Sequence, residues 1–149
     1  MMKIMVLNGP NLNMVGIREK DIYGTVSYKK MIDYIKEEAL KRNVKADCRQ
    51  SNHEGDLVDW IQEAYFEEYD GIVMNPGAYT HTSIAIADAV KAIAPVPVVE
   101  VHISDIQSRE AFRHISYAAP YCLAQIKGEG IKGYISGIDA IINSVHETD

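Results

Sequence analysis

Short β-branched runs alternate with longer stretches of helical period along this chain, which predicts an α/β fold around a parallel sheet. There are five such runs, each followed by a helix or a helix-like connection. That order implies crossover connections and a sheet covered on both faces. No internal repeat, low-complexity tract or linker interrupts it, so residues 1–149 are expected to form one domain.

The expected strands are Lys3–Leu7, Lys45–Gln50, Gly71–Asn75, Val98–His102 and roughly Tyr121–Lys127. Between the first two, Tyr28, Met31, Ile32, Ile35 and Ala39 form one helical stripe, with Ser27 placed to cap it. Leu57, Val58, Ile61, Ala64 and Tyr65 form a second stripe, and Ile138, Ile141, Ile142 and Val145 the last. Ser83–Ile93 is apolar almost all round, which suits a helix wedged between the sheet and a second covering surface, such as another subunit. A doubly wound, flavodoxin-like sandwich is the architecture these elements specify.

At 149 residues and 47% hydrophobic, the chain can bury a real core. Its 21 acidic and 15 basic side chains leave a formal charge of −6, and the only basic runs are the pairs Lys29-Lys30 and Lys41-Arg42. Nucleic acid and anionic membranes are therefore not expected partners. Cys48 and Cys122 fit no metal-ligand spacing and read as reduced residues in or near the core. The apolar run after Lys3 is stopped by Asn8, Gly9 and Pro10, too short for a signal-peptide core or a span, so a cytoplasmic location is expected.

In sheets of this kind ligands bind outside the carboxyl ends of the strands, where strand order reverses. Strand one ends in Asn8-Gly9-Pro10-Asn11-Leu12-Asn13, strand three in Asn75-Pro76-Gly77-Ala78-Tyr79-Thr80-His81, and strand four in Glu100-Val101-His102-Ile103-Ser104. Asn-Gly-Pro and Asn-Pro-Gly are also ordinary turn vocabulary. Their joint placement at one rim argues for more than turns. Glu100 and His102, two apart on a strand, leave the same face, so the carboxylate can fix the imidazole and let it move a proton near neutral pH. His53, His114 and His146 have no comparable partner and read as surface or structural residues.

The segment from Gly16 to Gly24 lacks helical or strand period and is bracketed by glycines, as a lid with two hinges would be. Within it, Arg18 and Tyr23 could meet, and a guanidinium beside a phenol favours the phenolate. Taken alone, a tyrosine such as Tyr23 is more often a loop aromatic packed on the sheet edge.

Along almost its whole length the chain resembles the type II 3-dehydroquinate dehydratases. The likeness runs through Asn8–Asn13, the Arg18 to Gly24 loop, Arg49–Gly55, Asn75–Ser83, Glu100–Ser104, Arg109-Glu110, Phe112–His114 and Gly133-Tyr134. The resemblance implies a lyase that removes water from 3-dehydroquinate by anti elimination through an enolate, giving 3-dehydroshikimate, with no Schiff base, metal or organic cofactor. It makes Tyr23 the base, Arg18 the charge that lowers its pKa, and His102, oriented by Glu100, the acid that protonates the departing hydroxyl. It sets Asn11 near the enolate oxygen, uses the amides of Ile103 and Ser104 for the substrate carboxylate, and assigns Asn75, His81 and Arg113 to hydroxyl and carboxylate contacts. Asp88 resembles a residue supplied by a neighbouring subunit, in a family that assembles trimers into dodecamers.

Three positions depart from the family pattern. Lys20 stands where many members have proline, while Asp105 and Gln107 replace an Asn and a His often seen after the serine. Lys20 bears on lid stiffness. Asp105 is expected to bring negative charge close to the carboxylate site and weaken affinity. The resemblance implies a place in the shikimate pathway of aromatic amino acid biosynthesis or in quinate degradation.

A rival reading is a flavin- or phosphate-binding module on the same fold. It calls for a Gly-rich or Ser/Thr-rich loop after strand one, whereas Asn8–Asn13 holds one glycine and a proline that cannot donate. A receiver-type signalling domain would need acidic residues where strands one and three carry asparagine.

Overall fold

The computed structural model describes residues 1–17 and 26–148. Five parallel strands, β1 (Met2–Asn8), β2 (Val44–Gln50), β3 (Gly71–Asn75), β4 (Val98–His102) and β5 (Ala124–Lys127), form one sheet in the order β2-β1-β3-β4-β5. Among the described residues four helices accompany them: α1 (Tyr28–Lys41), α2 (Glu54–Phe66), α3 (Ile84–Ala92) and α4 (Lys132–Thr148). This is the doubly wound, flavodoxin-like sandwich expected from the pattern.

Strand alternation divides the core in two. Ile4 and Val6 of β1 point, with Val73, Val99 and Val101, into a layer filled by Met31 and Ile35 of α1 and Tyr134, Ile138 and Ile141 of α4. Met5 and Leu7 point the other way, with Ile72 and Met74, onto Leu57 and Ile61 of α2 and Ile86 and Val90 of α3. The central strands β1, β3 and β4 are thus buried on both sides, as in a doubly covered parallel sheet, while the edge strands β2 and β5 are partly exposed. Ser27 caps α1 by accepting from the Lys30 amide at 3.2 Å, and Arg42 past its far end pairs with Asp139 of α4 at 2.7 Å.

The fold departs from the expectation in three places. β5 starts at Ala124 instead of Tyr121, because Ala119–Tyr121 is a 3-10 turn containing Pro120, which cannot donate to a ladder. The chain from β4 to β5 carries no α-helix, only three short 3-10 turns at Ile106–Ser108, Ala111–Arg113 and Ala119–Tyr121. Tyr65, assigned to the buried stripe of α2, is half exposed in the last turn, edge-on to Phe66. The outward face of α3 exposes Ile84 and Asp88.

Candidate active site

Strand order reverses at β1, whose chain continues to β2 on one side and returns to β3 on the other. A cavity of about 110 Å³ opens beyond the carboxyl ends of β1, β3 and β4. Its walls come from the three predicted strand ends: Pro10, Asn11, Leu12 and Val15, then Asn75, Gly77, Ala78 and His81, then His102 through Ser104 with Ile106, Arg109 and Arg113.

The first two walls are locked together by small residues. A Cβ on Gly9 would lie 2.4 Å from the Pro76 carbonyl oxygen, so only glycine fits. Gly77, with φ +61°, sits against the Pro10 carbonyl in a conformation that disfavours side chains. The Gly9 amide donates to the Asn75 carbonyl at 2.8 Å. Asn11 takes the left-handed conformation that asparagine tolerates, and its amide donates to the Asn52 side chain at 3.0 Å.

Behind these loops lies a neutral, buried network. The Gly77 amide donates to Asn75 Oδ1 at 3.1 Å, Asn75 Nδ2 donates to the Tyr134 hydroxyl at 3.1 Å, and that hydroxyl donates to Asn8 Oδ1 at 2.5 Å. Burial pushes the Tyr134 phenol well above its ordinary pKa, so it stays protonated.

The third wall is charged. His102 Nε2 lies 2.8 Å from Glu100 Oε2, and both side chains are buried. Burial alone would raise the Glu100 carboxyl, but the imidazole and hydrogen bonds from Gln125 (2.6 Å) and Ser116 (2.5 Å) outweigh it and hold the pKa below the usual value. A carboxylate accepts only, so Nε2 carries the proton and Nδ1 is the ring nitrogen through which His102 can serve a ligand. Opposite, His81 Nδ1 donates to the Ile115 carbonyl at 2.8 Å, leaving Nε2 as an acceptor. Burial, helped by the nearby His102 and Arg113, holds this ring's pKa below the ordinary imidazole value and so favours its neutral form.

Two guanidiniums, Arg109 and Arg113, line the cavity, and among the described residues no carboxylate does, which suits an anionic ligand although the whole chain is acidic. Arg113 is steadied by Glu110 at 2.6 Å and by the Phe112 ring. The carbonyls of Ile103 and Ser104 accept from Gly130 and Gly128, which pins that segment to the start of α4.

Of the predicted site residues, Asn11, Asn75, His81, His102, Ile103, Ser104 and Arg113 thus meet around one cavity, with Glu100 directly behind His102. Asp88 does not join them; it lies exposed on the outer face of α3, while Lys91 reaches over the Tyr121 ring. Arg18, Lys20 and Tyr23, with most of the expected lid at 16–24, lie outside the described residues. Asp105 is exposed, caps the Ile106–Ser108 turn through the Gln107 amide, and stands next to the lining residue Ser104 without lining the cavity itself.

Sequence reasoning assigned no role to Arg109, Ser116, Gln125, Asn8 or Tyr134. Gln125 was findable in principle, since in register it lies beside Glu100 and shares its face. Ser116 sits in an irregular connection and has no periodic signal.

The model for class II dehydroquinases matches residues 2–142. The chain belongs to the type II dehydroquinase family. It is 56% identical over 144 residues to a 3-dehydroquinate dehydratase of Clostridium perfringens, covering 97% of this chain and 99% of that one. A 3-dehydroquinate dehydratase of Fusobacterium nucleatum is 54% identical over 143 residues, covering 95% and 97%. The crystal structure of a type II dehydroquinase from Butyrivibrio crossotus superposes with a TM-score of 0.93 at 54% identity, covering 95% of this chain and 97% of that one. Among the described residues no helix is long and apolar enough to cross a membrane.

Proposed function

We propose that the chain is a 3-dehydroquinate dehydratase, and the observation that carries this is the buried Glu100–His102 pair opening onto an arginine-lined cavity in a type II dehydroquinase fold. Tyr23, as phenolate, takes the proton beside the ketone. Arg18 lowers its pKa, a change from about 10 to about 8 needing roughly 2.7 kcal/mol, within reach of one close cation. The electron pair passes into an enolate whose oxygen lies near Asn11 and its water. His102, held by Glu100, then gives its proton to the hydroxyl as the carbon–oxygen bond breaks, and water leaves anti to the abstracted proton.

The Ile103 and Ser104 amides and Arg113 hold the substrate carboxylate, and Asn75 and His81 hold its hydroxyls. His81 fits this role because its neutral Nε2 can accept from a hydroxyl. Residues 1–149 act as one catalytic domain, with segment 16–24 as a lid. Its base lies at the cavity edge: Val15 lines the cavity, and a Cβ on Gly16 would lie 2.8 Å from the Val26 carbonyl. The route uses no Schiff base, in keeping with a described lining that holds no lysine. It uses no metal or organic cofactor. The working form is a cytoplasmic homo-oligomer of trimers assembled into a dodecamer, in which Asp88 reaches a neighbour's site; its exposure on α3 supports that placement.

The test is to mix the purified protein with 3-dehydroquinate and follow the conjugated enone by ultraviolet absorbance. Silence from folded protein overturns the reading. Tyr23→Phe should lower turnover about 10²–10⁴-fold, the usual weight of a general base.

A further inference from the structure

The two ends of the Asn8–Tyr134–Asn75 network have different fates. Asn75 lines the cavity, whereas Tyr134 is fully buried on α4 and does not line it, with Asn75 standing between. The polarity of the network is fixed from one point outward. A backbone amide can only donate, so the atom of Asn75 that faces the Gly77 amide must be the carbonyl oxygen. The Asn75 NH₂ therefore faces Tyr134 and donates to its hydroxyl. The phenol's own proton must then go to Asn8, whose oxygen faces it. A flip of the Asn75 carboxamide would set its NH₂ against the Gly77 N–H and leave that amide without an acceptor.

We propose that Tyr134 is a positioning residue that acts through Asn75, holding its carboxamide so that the second N–H of Nδ2 is presented to the cavity as a donor for a substrate hydroxyl. The inference rests on the dehydratase reading for the identity of the ligand. Tyr134 touches no reacting atom. A fixed donor also sets the chemistry of this subsite: it accepts an oxygen that can receive a hydrogen bond and rejects an ammonium or amide N–H. Asn8 and Tyr134 are the two backstops, one on β1 and one on α4, so the aim of a donor at the end of β3 is set by the packing of a helix onto the sheet together with the Gly77 amide. Since the phenol stays protonated over the working range, its contribution does not vary with pH.

The test is a double-mutant cycle with Tyr134→Phe, Asn75→Ala and the pair, each checked for fold by circular dichroism and assayed with 3-dehydroquinate across pH. Tyr134→Phe keeps the ring that fills the core and removes only the hydroxyl. It should lower kcat/KM about tenfold, mostly through KM, with an unchanged pH profile. In the Asn75→Ala background the same change should cost less than about twofold. Losses that multiply, a wild-type-like Tyr134→Phe enzyme, or a shifted pH profile each overturn the proposal while leaving the dehydratase reading intact; an inactive wild type overturns that reading instead. If Tyr134→Phe fails to fold, Asn8→Ala runs the same cycle, because it leaves the phenol in place and removes the acceptor that fixes its direction. Non-additivity with Asn75→Ala is again expected, and additive losses again overturn the proposal.

Discussion

The two sides of the cavity are built on opposite electrical plans. On the β1–β3 side the polar groups are neutral: asparagines, a phenol and backbone amides joined in a buried chain. On the β4 side a carboxylate, an imidazole and two guanidiniums meet. Neutral groups keep their geometry whatever the pH, which makes that side suited to orientation. The ionised side can exchange a proton, at the cost of burying a carboxylate that must be fully partnered. The contrast suggests a division of labour that substitution can break.

The largest effect is expected at the charged side. His102→Ala should keep the fold, since β4 retains its ladder, and lower turnover about 10²–10⁴-fold as measured by steady-state rates. A mild loss would move the acid elsewhere and dissolve the contrast. Glu100→Gln should cost about 10- to 100-fold, the scale for the partner that orients a functional histidine. A wild-type-like rate in Glu100→Gln would mean that the carboxylate does not orient His102.

Glu100 should further mark acid stability. Its folded pKa lies below the unfolded value, so its stabilisation is present above the ordinary carboxylate range and is lost as pH falls through its own lower value, where the native state must take up the proton. The acid arm of a plot of Tm against pH should be shallower in Glu100→Gln than in wild type. Smallest is Ser116→Ala, which removes one donor from this carboxylate and should cost about 1–2 kcal/mol in denaturant unfolding. An effect near zero would mean that Gln125 and His102 already suffice.

The sequence showed the charged side better than the neutral one, for a physical reason. Glu100 and His102 are neighbours by strand period alone, so alternation predicts their meeting before any fold is known. The limits of β3 and β4 were legible for the same reason: apolar runs that end abruptly in polar rim residues. Asn8, Asn75 and Tyr134 meet across 126 and 59 residues of chain, and no local pattern relates them. A fully buried tyrosine in an apolar stripe reads as core, and only the helix-to-sheet packing reveals that its hydroxyl has work to do. The β4–β5 connection was misjudged where Pro120 breaks a run that otherwise suits a strand. Arg18, Tyr23 and Asp88 were singled out by likeness more than by pattern.

The contact of Gly9 with Pro76 bears on how this pocket could be reshaped. A methyl group at Gly9 would meet a main-chain oxygen, which cannot swing aside as a side-chain tip can, so even alanine would have to part the β1 and β3 loops. The opposing Gly77 and Pro10 add a second such fastening. Enlarging the cavity by remodelling either loop therefore remodels both, together with the asparagines they carry. Libraries aimed at a bulkier ligand should leave this seam alone and vary Ile106 and Arg109, in the connection after β4, where new side chains can be tried without moving the sheet.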